Sequence, residues 1–83
     1  MNAENLSEWS AEKRLEHYKA KAEACYRQMY DCKPYELKDF KDDAISNFYD
    51  AVAAVKELGL TAEVEILEKK IEQIMAVYRQ LSL

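Results

Sequence analysis

Val55-Lys56-Glu57-Leu58-Gly59-Leu60-Thr61-Ala62-Glu63-Val64 contains the only glycine among the 83 residues, and the reading of this stretch decides the fold. One apolar repeat runs up to Leu58, and another starts from Leu60 and Val64. A glycine just past the last apolar position is where a helix commonly closes in the left-handed conformation, with the next apolar residue folding back on it. Gly59 is therefore read as a helix end, Leu60 as its hydrophobic contact and Thr61 as the cap of the helix that follows. A connection of about three residues makes those two helices antiparallel neighbours.

Upstream of Gly59, the residues Leu37, Phe40, Ala44, Ile45, Phe48, Ala51, Val52, Val55 and Leu58 form an apolar face broad enough for two neighbours. Downstream, Leu60, Val64, Leu67, Ile71, Ile74, Tyr78 and Leu81 recur at steps of four and three. Ile66 and Val77 lie beside that stripe and widen it. The sole proline, Pro34, disfavours helical geometry at Lys33 and suits the first position of a new helix. Asp39 is an alternative cap that would leave residues 34–38 as loop.

Before the proline, Leu15, Tyr18, Ala22, Cys25, Met29 and Cys32 mark a helix with one buried stripe. Ser7 or Ser10 is placed to cap it, and Trp9 to pack back on it. The expectation is one all-α domain over residues 1–83, with a flexible start of about six residues. It is a three-helix antiparallel bundle, with helices near 8–31, 35–58 and 61–81. The alternative keeps helices 2 and 3 as a hairpin and packs helix 1 on another subunit. The stretch Ala51 to Tyr78 superficially resembles one helical pair of a tetratricopeptide repeat, but no second copy follows at the repeat spacing, so no array is expected.

Composition narrows the function classes. With 49% hydrophobic and 34% charged residues of both signs, the chain reads as a soluble globular domain. A net charge of −4 disfavours direct nucleic-acid binding and anionic membrane surfaces. The apolar runs are far shorter than the ~20 residues that span a bilayer, and no signal pattern opens the chain, so a cytoplasmic protein is expected. Cys25 and Cys32 are read as reduced thiols, since two turns of helix separate them by roughly 10 Å.

Catalytic signatures are not found. One glycine cannot build a phosphate-binding loop, and a single histidine, His17, leaves no zinc or di-iron pattern. No catalytic, cofactor-binding or metal-ligating residue is assigned, no cofactor is expected, and the chain is read as a non-enzyme. A third-rank alternative is an active site assembled between subunits from Cys32, His17 and tyrosines.

The candidate partner-binding residues come from charge and aromatic placement. Asp39, Asp42, Asp43, Asp50 and Glu57 fall within about 100° on a helical wheel, opposite Leu37, Phe48 and Val55. Lys13, Arg14, His17 and Lys21 cluster away from the apolar stripe of helix 1. The two charged faces suit pairing between molecules, or the acidic one suits a basic partner. Tyr26, Tyr30 and Tyr35 gather around the first turn, where tyrosine offers an apolar body with a polar tip. The resulting expectation is a protein-interaction module, such as an adaptor, inhibitor or chaperone-like protein, with a protein partner or itself as a homo-oligomer. The competing expectation is an acidic regulator of a nucleic-acid-binding protein.

Overall fold

The structure, a computed structural model, describes residues 9–83. It contains α1 (Ala11–Gln28), α2 (Leu37–Leu58) and α3 (Thr61–Leu81), with a 3-10 turn at Pro34–Glu36 leading into α2. There is no strand among the described residues, and α2 packs against both α1 and α3. Helix 1 thus folds back on its own chain. Arg14 early in α1 meets Glu57 late in α2, and Lys41 early in α2 sits over the ring of Tyr78 late in α3. Consecutive helices are antiparallel, so α1 and α3 run parallel.

At each end α1 is about three residues shorter than the periodicity predicts. Ser10 caps it by accepting the Lys13 N–H at 3.1 Å, while the Ser7 alternative and the proposed flexible start lie outside the described residues. At the far end the N–H groups of Tyr30 and Asp31 turn back to the carbonyls of Arg27 and Gln28. Lys33 is already extended, at φ −74° and ψ 154°, as the residue before a proline prefers. Pro34 opens the 3-10 turn, whose Glu36 side chain accepts the Lys33 N–H at 3.0 Å. Asp39 lies inside the first turn of α2 rather than capping it.

The centre of the fold is α2, with Leu37, Ala44, Phe48, Ala51, Val52, Ala54 and Val55 all buried. Three of these are alanines, which share one side of the helix and let a neighbouring helix come close there. Ala22 and Met29 from the α1 side and Leu67, Ile71 and Ile74 from α3 complete the core. Leu15, Tyr18, Cys25 and Cys32 pack partly buried against it. The ends of the α3 stripe do not reach the core, for Leu60 and Leu81 are exposed. Val77 packs on the core, whereas Ile66, on the same side of α3, is 51% exposed.

Gly59 adopts φ 73° and ψ 21°, the left-handed geometry expected of it. Its N–H reaches the Lys56 carbonyl at 3.1 Å, and the Leu60 N–H reaches that of Val55 at 3.2 Å. The chain re-enters helix at once, so Thr61 is the first helical residue and Leu60 takes the cap position without a side-chain cap. The leucine carbonyl accepts the Glu63 N–H at 3.0 Å, so backbone alone closes this end.

Candidate interaction surfaces

All five carboxylates of the expected acidic stripe are exposed. They are not equivalent. Asp42 is paired with Lys38 at 2.8 Å and with Lys41 at 2.6 Å, and the hydrogen bonds from the two lysines hold its carboxyl below the usual range. Glu57 is held low by the guanidinium of Arg14. Asp39, Asp43 and Asp50 remain as the exposed carboxylates of the outer face of α2, spaced by four and seven residues.

The basic cluster of α1 lies beside this stripe rather than on a remote face. Arg14 bridges directly to Glu57, and its Nε donates to the Trp9 carbonyl at 3.4 Å. Seven residues is close to two turns, so stepping up α1 and down α2 from this pair sets Lys21 opposite Asp50, and Gln28 opposite Asp43. Lys13 rests over the Trp9 ring, 4.4 Å from its centroid. His17 meets Trp9 and Tyr18 edge-on, at 5.3 and 5.2 Å between ring centroids. Trp9 packs back on the helix as expected, with Lys13 and His17 among the side chains it meets.

On the opposite side, α1 and α3 are joined by polar side chains that the sequence pattern did not single out. Glu23 lies 3.7 Å from Lys70, and Gln73 sits beside the Tyr26 hydroxyl. The rings of Tyr26 and Tyr30 are 5.8 Å apart with their hydroxyls at 3.4 Å. Burial, followed by the Tyr30 hydroxyl, pushes the Tyr26 phenol up to about 12. Tyr26 is therefore half-buried at the α1–α3 seam, while Tyr30 and Tyr35 are 57% and 76% exposed.

Exposed apolar groups collect at the end of the molecule where α1 stops, Pro34 turns the chain and α3 finishes. Tyr30 and Tyr35 are there with Leu81 and Leu83. The antiparallel order of the helices brings the end of α3 to the same end of the molecule as these tyrosines. A second pair, Tyr49 and Met75, borders a shallow depression of about 210 Å³ with Glu68, Ile71 and Glu72.

Cys25 and Cys32 sit in different surroundings. Burial, then the charge of Asp43, pushes the Cys25 thiol up. The Cys32 thiol donates to the Met29 carbonyl at 3.7 Å and borders a depression with Asp31 and Glu36. His17 lies in the first half of α1 and Cys32 lies beyond its last residue, fifteen positions further along the chain. No group of three or more metal-ligating side chains is gathered among the described residues, and no helix there is long and apolar enough to cross a membrane. Compared with known proteins, the chain matches no family model, no curated protein and no solved structure.

Proposed function

We propose that the protein is a small, cytoplasmic, non-enzymatic interaction module that engages another protein through helical surfaces. The observation that carries this reading is that Tyr30, Tyr35 and Leu81 stay exposed at the end of the bundle where α1 and α3 both finish, while the core beneath is already closed by α1, α2 and α3. Apolar side chains in excess of what the core uses, together with phenol hydroxyls, match the composition of protein-binding surfaces.

Replacing Tyr35 with a photo-crosslinking phenylalanine in the native host tests this reading. A protein adduct is expected at position 35 and not at the exposed control position Glu65, with the adduct lost in the Tyr30→Ser background. Equal labelling at both positions, or none at position 35, would overturn it. The second reading, phosphate mimicry toward a basic nucleic-acid-binding protein, rests on Asp39, Asp43 and Asp50. It is weakened by Lys21, which the helix register sets beside Asp50 and which a phosphate-binding surface would also meet.

A further inference from the structure

The face shared by α1 and α2 is bipolar. Its α1 half carries Lys13, Arg14 and Lys21, and its α2 half carries Asp43, Asp50 and Glu57, with the two rows side by side and tied by Arg14–Glu57. Such a face attracts neither a uniformly basic nor a uniformly acidic partner well, because each row faces a like charge somewhere on it. A second copy of the chain is different. A two-fold axis parallel to the helices, placed between two such faces, carries the basic row of each copy over the acidic row of the other. A two-fold axis across the helices would set like over like.

We propose that this face pairs two copies of the chain with their α1 and α2 helices side by side and parallel across the dyad. Every row then has the opposite charge on both sides, once within its own copy and once across the interface. The outward surface permits close approach. Ala20 and Ala24 lie among the charges on α1, and Ser46 and Ala53 do so on α2, so the layers can approach closely around Lys21 and Asp50, while Trp9 and His17 stand at the Lys13 end of the face. Two helices of ~30 Å, set ~10 Å apart, present about 600 Å² per copy. This is below the roughly 800 Å² per partner of a standard stable interface, so the dimer exchanges rapidly and depends on low salt. The proposal rests on the reading of the protein as an interaction module, but it uses a face separate from the tyrosine-rich end.

Sedimentation of the full chain, with circular dichroism to verify helicity, is the test. The wild type should sediment as a dimer at about 20 mM salt and as a monomer at about 500 mM, where charges are screened within ~4 Å. A predominantly basic variant, Asp43→Lys with Asp50→Lys, and a predominantly acidic one, Lys13→Glu with Lys21→Glu, each keeping the Arg14–Glu57 pair, should each be monomeric alone. Mixed, they should form a 1:1 heterodimer. A wild type that stays monomeric at low salt overturns the proposal, as do swapped variants that remain dimeric or a mixture that fails to pair. Loss of dimerisation with the crosslink at position 35 retained would sink this pairing alone. The reverse result would remove the tyrosine-end reading and leave the dimer standing.

Discussion

Arg14 and Glu57, 43 residues apart in the chain, meet fork to fork, with Nη1–Oε2 at 2.8 Å and Nη2–Oε1 at 2.9 Å. Paired contacts of this kind fix orientation as well as distance, so they set how α1 is rotated against α2. The basic row of α1 lies beside the acidic row of α2 for that reason. A lysine at position 14 would keep the charge and lose the fork.

The pair makes stability depend on acid. Because Arg14 holds the Glu57 carboxyl below its ordinary value of 4.5, the contribution is present above that value and is lost as pH falls through the lower, folded one. Glu57→Gln should melt slightly below the wild type at neutral pH, and the two melting curves should converge in acid. Both partners are exposed, so added salt should also narrow the gap.

At the alkaline end the sensitive group is Tyr26. Its folded-state value of about 12 lies above the ordinary 10, so its contribution is complete below the unfolded value and is lost as pH rises from the lower figure through the higher. Absorbance titration should show one tyrosine of the six ionising late. In Tyr26→Phe the loss of thermal stability over that alkaline interval should be reduced.

Phe48 is fully buried in the helix that both neighbours share. Phe48→Ala should cost about 3–5 kcal/mol, a large part of what so small a domain has to spare. Denaturant unfolding should then start near zero denaturant. Overpacking the same helix with Ala51→Leu, at a site with no exposure, should cost about 1–3 kcal/mol.

At Gly59 a Cβ would meet nothing within 4 Å, so the penalty of a side chain there comes from the backbone alone. Gly59→Ala should lower stability by about 1–2 kcal/mol in equilibrium unfolding. Gly59→Asn should cost less, since asparagine tolerates the left-handed region better.

The helices were legible because their signals are local. Gly59 ended α2 where the apolar stripe ran out, Ser10 capped α1, and the broad face of α2 announced two neighbours. The arrangement of charge was less legible. Whether the basic cluster of helix 1 lies beside the acidic stripe or away from it depends on which flank of α2 receives α1, and α2 is apolar over both flanks. Asp42 read as part of the stripe because a helical wheel gives direction and not partners, whereas Lys38 one turn earlier and the adjacent Lys41 both reach it. Leu81 matched the α3 repeat yet stays exposed, for periodicity does not reveal where the neighbouring helix ends.

The central place of α2 also shapes how the chain acquires its structure. Both packed pairs join helices consecutive in sequence, so few long loops must close before favourable contacts form, a topology that folds in microseconds to milliseconds. On the ribosome, α1 can close onto α2 before α3 has been made. Until Leu67, Ile71 and Ile74 emerge, the other flank of α2 stays bare, and the nascent hairpin exposes to the cell an apolar surface that the finished protein hides.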